Sequence, residues 1–391
     1  MVALGLVPDL TAKAARTAAS NAGAKVVKTF AYEISGSEQQ EIYDINPDLV
    51  LLCGGTDGGN KEVIIANAKH LVAIDRPFTT IVAGNKSAND DIKAIFDEAG
   101  KDVVITANVM PQFNKLNIEP ARDAIRQLFI SRIIEAKGLN ILQAMTPYKI
   151  IPTPLAVLHA CELLSKGTKT QQGRGDLLAV DIGGATTDVY SMASGEPTVD
   201  NTMLKGLPEP WMKRTVEGDL GMRYSLTHVY EQIPGADNPE NEYMQQVKAW
   251  VELCTARPDT LAAPGSEEEK LEEFLGRSAV SMAVERHCGR IADVFTPLGL
   301  MHTQEGKDLM NVPSVIGIGG VLRNSRRPEE ILKGSLYDFM HPECTKPRKP
   351  KFYLDQKYIF ASMGLLRSIN PELAFELLDK ETVEIGCNAT V

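Results

Sequence analysis

Apolar and polar positions alternate along the first 110 residues in a way that predicts successive strand and helix units. Short β-branched runs are separated by stretches whose apolar residues recur at spacings of three and four, the period of an amphipathic helix. This alternation predicts a parallel sheet covered by helices, a doubly wound α/β domain. The predicted strands are 2–7, 25–32, 49–53, 79–83 and 102–106, and the predicted helices are 10–22, 37–43, 61–70 and 89–99.

The rest of the chain changes pattern and predicts a second domain. Its predicted helices are 118–141, 155–165, 277–293 and 356–368, and its predicted strands are 177–182, 187–193 and 314–318. The stretch 257–273 is predicted to be a surface loop that leads into the acidic start of a helix, and the basic, proline-containing stretch 345–351 is predicted to be an exposed loop. We therefore divide the chain into a domain of residues 1–115 and a domain of residues 116–391.

Composition narrows the class of protein. Of the 391 residues, 43% are apolar and 24% charged, which is typical of a folded chain with two or three domains. No apolar run reaches the roughly 18 residues of a membrane-spanning helix, and the first residues lack the features of a secretory signal. We expect a cytoplasmic protein that does not enter a membrane. The net charge of −10, without a basic stripe, argues against nucleic acid as a partner.

The turn between the strands 177–182 and 187–193 is the most informative segment. It holds two glycines, an alanine and a threonine between two aspartates: Gly183, Gly184, Ala185, Thr186, Asp181 and Asp188. Glycines let backbone N–H groups converge on one anion, and the threonine hydroxyl adds a donor. Two exposed carboxylates beside an anion site make sense if Mg²⁺ lies between them and phosphate oxygens. A hairpin with glycines for turn geometry and aspartates as caps is the structural alternative.

Two further glycine-containing elements follow. The strand 314–318 ends in a turn whose glycines could admit a ribose or a base and whose arginine could stack on adenine: Gly317, Gly319, Gly320 and Arg323. The sequence EGDLG at 217–221 places Gly218 and Asp219 at a predicted helix start. Neither a Walker sequence nor the dinucleotide fingerprint is present.

In order and spacing, these three elements resemble the ATPase superfamily of actin, sugar kinases and heat-shock chaperones. The resemblance covers about residues 150–370 and implies a ribonuclease H-like core, with a phosphate loop at 181–188 and an adenosine loop at 317–323. ATP and Mg²⁺ are the implied cofactors. Asp181 and Asp188 are implied as metal-binding and catalytic acids, and the other residues named above as nucleotide-binding.

The superfamily's first phosphate hairpin has no counterpart before Asp181, so the core looks as if it lacks its first strands. This predicts weak ATP binding, or none, by this chain. ATP hydrolysis coupled to a conformational change is implied by the resemblance, and the missing hairpin leaves it open.

Four runs resemble a narrower family: MVALGLVPDLT, DLVLLCGGTDGGNKE, VDIGGATTDVYS and EGDLGMRYSL. They are similar to the MutL (GlmL) accessory proteins of adenosylcobalamin-dependent glutamate (methylaspartate) mutase, over the whole chain. This implies an ATP-dependent chaperone or reactivating factor whose partner is the large catalytic subunit of the mutase; a homodimer is also open. Two alternatives remain: an ATP-using subunit of a hydantoinase or acetone carboxylase, which the VDIGGATTDV run also resembles, and a non-catalytic binding module.

The first domain resembles the flavodoxin-like, cobalamin-binding subunit of these mutases. The cobalamin signature D-x-H-x-x-G begins here at Asp9, but Thr11 and Ala14 replace its histidine and glycine. We therefore expect no ligation of cobalamin by this chain. The domain could mimic the subunit and compete for its docking surface, and a flavodoxin-like domain without mimicry is the alternative.

Overall fold

Two α/β units make up the computed structural model. The first is Met1–Pro152 with Gly206–Pro208, and the second is Thr153–Lys205 with Glu209–Val391. The structure describes residues 1–22, 24, 26–136, 140–148, 150–206, 208–236, 238–297 and 299–386.

The first unit is a five-stranded parallel sheet with the order β2-β1-β3-β4-β5. Its strands are β1 (Val2–Gly5), β2 (Lys28–Ala31), β3 (Leu49–Leu52), β4 (Thr79–Val82) and β5 (Val103–Ile105). Its helices are α1 (Lys13–Asn21), α2 (Gly36–Ile45), α3 (Glu62–Val72), α4 (Asn89–Glu98), α5 (Glu119–Ala136) and α6 (Asn140–Ala144). The order 2-1-3-4-5 is that of flavodoxin, so the predicted doubly wound, flavodoxin-like fold is confirmed.

Helices cover both faces of this sheet. On one face, the buried alanines of α1 let that helix lie close to β1 and β3, and Ala121 and Ile125 of α5 join the same core. On the other face, Ile42, Ile64 and Phe96 come from three different helices and pack on the opposite side chains of the strands. A sheet buried on both faces explains why β1 and β3 are continuous apolar runs rather than alternating ones.

The first unit is longer than the sequence predicts. We placed the domain boundary after residue 115, whereas the compact unit continues to Pro152. The reason is packing: α5 buries its apolar face against α1 and the sheet. A change from strand–helix alternation to a purely helical pattern marks the end of the sheet, and not the end of the domain.

The second unit is built on a six-stranded mixed sheet with the order β14-β13-β12-β6-β7-β9. Its strands are β6 (Leu177–Ile182), β7 (Thr187–Met192), β8 (Thr202–Lys205), β9 (Met212–Glu217), β10 (Arg290–Thr296), β11 (Gly299–Glu305), β12 (Ser314–Ile318), β13 (Lys351–Asp355) and β14 (Thr382–Gly386). Its helices are α7 (Thr153–Lys166), α8 (Leu226–Glu231), α9 (Glu242–Ala256), α10 (Glu267–His287), α11 (Gly320–Asn324), α12 (Pro328–Leu332), α13 (Phe360–Leu366) and α14 (Pro371–Glu381).

Strand directions give this sheet its fold class. β6, β7 and β9 form an antiparallel meander, and β12 and β13 continue the sheet parallel to β6. Three antiparallel strands followed by two parallel ones is the ribonuclease H-like arrangement that the motifs predict. Consequently β6, β12 and β13 all end at the same edge of the sheet.

Several predicted boundaries in this unit are wrong. Helix α10 ends at His287, not at residue 293, because the chain turns extended at Cys288 and enters the hairpin of β10 and β11. The segment 345–351 is not a fully exposed loop, since Thr345 and Lys346 are buried. Helix α14 and edge strand β14 were not predicted. No helix in the described ranges is long and apolar enough to cross a membrane.

Candidate functional site

The turn between β6 and β7 sets two carboxylates on one face of the sheet. Antiparallel pairing places Asp181 opposite Asp188, an arrangement that destabilises a strand pair unless a cation compensates it. Arg214 on β9 compensates it: its Nε lies 2.8 Å and its Nη2 2.5 Å from Oδ1 of Asp188. Arg214 and Asp188 are only 3% and 7% exposed. The expectation that Asp188 is an exposed acid is therefore wrong.

Asp181 and Asp188 differ in the groups that affect their pKa values and in their exposure to solvent. Burial raises the pKa of Asp181 to about 7, with further contributions from Asp188 and Asp355, while Arg214 opposes the shift. Burial also raises the pKa of Asp188, and the ion pair with Arg214 counteracts it. Asp181 keeps a partly exposed surface, so it is the acid of the pair that a ligand can reach.

The turn presents unused backbone donors. The N–H of Gly183 donates to the carbonyl of Thr186 at 2.9 Å, which closes the hairpin. Across the part of the chain that the structure describes, the N–H groups of Gly184, Ala185 and Thr186 donate to no protein acceptor. Ala185 is exposed at the tip. Unpaired backbone donors that converge at an exposed turn can bind an anion.

Neither packing nor backbone conformation requires glycine at Gly184 and Gly320. A methyl group on Gly184 would meet its nearest atom, Cβ of Arg223, at 3.7 Å, and one on Gly320 would meet Nδ2 of Asn324 at 3.9 Å. Both distances are ordinary contacts, and neither glycine has a positive φ. Packing and backbone conformation therefore permit a side chain at both positions.

The segment that follows β9 packs directly on the turn. The N–H groups of Arg223 and Tyr224 both donate to the carbonyl of Gly184 at 2.8 Å, and the N–H of Met222 donates to that of Gly183 at 3.0 Å. These bonds attach the turn to the segment through the carbonyl groups of Gly183 and Gly184 and do not involve the N–H groups of residues 184–186.

The two residues predicted from the EGDLG run have internal partners. Both carboxylate oxygens of Asp219 accept from the guanidinium of Arg286 at 2.8 Å, which lowers the pKa of Asp219 to about 2. The same guanidinium reaches Glu217 at 2.7 Å. The carbonyl of Gly218 accepts from the hydroxyl of Ser225 at 2.9 Å. These contacts fix the segment to helix α10.

The second glycine turn meets the first at the sheet edge. A methyl group on Gly319 would lie 2.4 Å from the carbonyl oxygen of Ile182 and 2.9 Å from Oδ1 of Asp181, and Gly319 has a φ of +104°. Only glycine fits there. Gly317 is instead buried against leucine side chains, which gives it a packing role, and Arg323 is exposed at the end of α11.

Comparison with known proteins was made on the whole sequence. A family model described as MutL protein matches residues 1–382. Protein MutL of Clostridium tetanomorphum is 46% identical over 388 residues, which cover 98% of this chain and 84% of that protein. The chain belongs to the MutL protein family.

One solved structure resembles this MutL-family chain weakly. It is a nucleotide-free structure of acetone carboxylase, from work on the mechanism of ATP-dependent acetone carboxylation. The match has 13% identity and a TM-score of 0.31, and it covers 93% of this chain and 58% of the carboxylase chain. The order and direction of the strands define the fold.

Sequence reasoning missed two charged residues at the candidate site. Arg214 lies on β9, where one basic residue in a polar strand gives no signal of a buried partner. Asp355 ends β13 and is 1% exposed, with its oxygens accepting from the N–H groups of Ile359 and Phe360 at 2.9 and 3.1 Å. The run KFYLD would have predicted a strand ending in an acid, had 345–351 not been interpreted as an exposed loop.

Few side chains at the site could act as ligands of a cation. Among the described residues, no group of three or more histidines, cysteines or acids could hold a metal. Mg²⁺ is usually held by one or two carboxylates, water and substrate phosphates. Asp181, which is partly exposed, meets that need, whereas Oδ1 of Asp188 is occupied by Arg214 and both carboxylate oxygens of the buried Asp355 accept from backbone N–H groups.

Proposed function

We propose that this chain binds ATP with Mg²⁺ at the edge of the second unit's sheet and acts as a chaperone-like accessory protein of an adenosylcobalamin-dependent glutamate mutase. The observation that carries the proposal is that Gly184 and Gly320 could each accommodate a side chain, since an added methyl group would make only ordinary contacts. At Gly184 and Gly320 the protein interior does not require glycine, so a molecule that approaches the backbone from outside explains the residue type.

Different residues of the site bind different parts of the nucleotide. The N–H groups of residues 184–186 bind the terminal phosphates, and Asp181 holds the cation through water. Bound Mg²⁺ supplies the positive charge that the phosphate oxygens need beside two acids. Gly319, Gly320 and Arg323 accommodate the adenosine, as the family resemblance implies.

The turn between β6 and β7 is connected to helix α10, so nucleotide binding can affect that helix. The segment that follows β9 is bonded to the turn through Gly184 and to helix α10 through Asp219 and Arg286. A ligand that moves the turn therefore displaces α10, the longest helix of the second unit's described part. Such a displacement is how nucleotide occupancy changes affinity for the mutase in this proposal.

The first unit supplies the surface for the mutase. Its strand order is that of a flavodoxin-like domain, the shape that the sequence associates with the cobalamin-binding subunit. In this proposal the loops at the carboxyl ends of its strands contact the large catalytic subunit and compete with the cobalamin-binding subunit.

The test is ATP binding measured by calorimetry on the full chain with and without Mg²⁺. We expect weak, Mg²⁺-dependent binding by the wild type and its loss in Gly184→Ala, because the new methyl group fills the space that the phosphates need. Gly36→Ala is the matched control, since nothing lies within 4 Å of its methyl group and Gly36 begins helix α2 in the first unit. No binding by the wild type, or equal binding by Gly184→Ala, would reject the proposal.

A further inference from the structure

Tyr358 has a backbone conformation that is unusual for a bulky residue. Its φ is +57°, in the left-handed region, and its side chain is 54% exposed. Five non-glycine residues in the described ranges have a positive φ, and three of them are asparagines, which tolerate this conformation. A tyrosine in this conformation destabilises the folded state, and burial of its ring does not offset that cost.

The surrounding structure imposes the conformation. Asp355 binds the turn at both ends, accepting from Tyr358 through its carbonyl at 3.3 Å and from Ile359 and Phe360 through its carboxylate. Helix α13 follows and lies close to α7, because a methyl group on Gly364 would be 1.8 Å from the carbonyl oxygen of Ala156. The turn is therefore fixed from both sides.

The same turn lies beside the candidate nucleotide site. Gly317 pairs with Leu354, so the end of β13 adjoins the end of β12, and Gly319 beyond it touches Asp181. The charges agree with this placement: burial raises the pKa of Tyr358, Asp181 and Asp355 raise it further, and Arg323 lowers it. The phenol accordingly stays neutral at physiological pH.

We propose that Tyr358 contacts the nucleobase, its exposed ring forming a wall on which a purine stacks. The inference rests on the proposed function, and it names the base as the part of the ligand that this residue recognises. A fixed backbone holds the ring in place before the ligand arrives, so little conformational entropy is lost on binding. Arg323, exposed on the neighbouring turn, contributes a guanidinium plane to the same part of the ligand.

The test compares a ligand that has a base with one that does not. Tyr358→Asn keeps a residue that tolerates the left-handed conformation, so the fold is retained while the ring is lost. Since base stacking on an aromatic ring contributes to affinity, we expect the affinity for Mg²⁺–ATP to fall about 5- to 150-fold. Affinity for Mg²⁺–tripolyphosphate stays unchanged, and Tyr358→Phe keeps wild-type affinity for both.

Two controls make the outcomes distinct. Tyr32→Asn removes the other left-handed tyrosine, which is 60% exposed in the first unit, and leaves both affinities unchanged. Gly184→Ala weakens ATP and tripolyphosphate alike. If the wild type binds ATP and Tyr358→Asn binds it equally well, the role of Tyr358 is refuted and the proposed function stands. If the wild type binds neither ligand, the proposed function itself fails.

Discussion

The two units both present loops at the carboxyl ends of parallel strands, but they treat the polar groups of those loops differently. In the first unit, buried Asn85 accepts from the N–H groups of Gly58 and Ser87 at 3.0 Å and donates to two loop carbonyls. Buried Asn108 donates to the carbonyl of Gly55 at 3.0 Å. In the second unit, the N–H groups of residues 184–186 stay unpaired within the described chain.

This difference indicates what each edge is suited for. A loop whose polar groups are bonded internally is rigid and offers a shaped surface, which favours contact with a protein. A loop whose donors are unpaired beside a partly exposed acid leaves those donors available to water or to an external ligand with oxygen atoms. The glycines agree: Gly55 has a φ of +72°, and a methyl group on it would lie 2.1 Å from the carbonyl oxygen of Asn60, whereas a methyl group on Gly184 or Gly320 would make only ordinary contacts, at 3.7 and 3.9 Å.

The largest expected effect is on the buried ion pair of the second unit. Arg214→Met leaves Asp188 buried without its cation, and we expect the free energy of unfolding to fall by about 3–5 kcal/mol. The double variant Arg214→Met, Asp188→Leu should recover most of that loss, as measured by urea unfolding. A single variant as stable as the wild type would show that the second unit's edge tolerates an uncompensated acid.

The next effect separates two adjacent glycines of the second turn. Gly319→Ala places a methyl group against Ile182 in a conformation that only glycine adopts, and should cost about 3 kcal/mol. Gly320→Ala has room at the first position of a helix and should change stability by less than about 1 kcal/mol. Thermal unfolding of both variants is the measurement, and equal losses would mean that Gly320 serves packing after all.

The third effect is a pH dependence of the unfolding free energy. The pKa of Asp181 is raised from 3.8 to about 7, so the folded state holds this proton more tightly than the unfolded state. The contribution is therefore fully present below about pH 4 and is lost as pH rises through 7. Asp181→Asn should flatten the fall in unfolding free energy across this window, and an unchanged slope would contradict the assignment.

The smallest effect on stability is expected at the first unit's loop edge. Ser87→Trp adds bulk to an exposed position and should shift unfolding by less than about 0.5 kcal/mol, while weakening binding to the mutase large subunit. Gly58 is a poorer choice although its surroundings are empty, because its φ of +76° would strain a tryptophan. Interferometry with the free cobalamin-binding subunit as competitor is the assay. Binding that ignores both substitution and competitor would remove the mimicry from the proposal.

Local pattern was enough to predict most of the scaffold. The strands at 177–182 and 314–318 are confirmed to the residue, and the βα alternation of the first 110 residues predicts a flavodoxin-like sheet. Each of these features depends on side-chain periodicity and on turn residues within about ten positions. The prediction that a helix reaches residue 293 is wrong because it also used only local pattern. Residues 290–296 are extended because they pair with strand β11.

By itself, the sequence determined which turns are rich in glycine and acid and the order in which they occur, because these are properties of adjacent residues. Tertiary structure decided which acid is available: Arg214, 26 positions from Asp188, pairs with it and leaves Asp181 as the accessible carboxylate. Tertiary structure also pairs Asp219 with Arg286. It places Tyr358 beside the turn at Gly319, nearly 40 positions earlier in the chain. The physical reason is that charge pairing and burial depend on distance in space, and strand order, which local sequence does not encode, sets that distance.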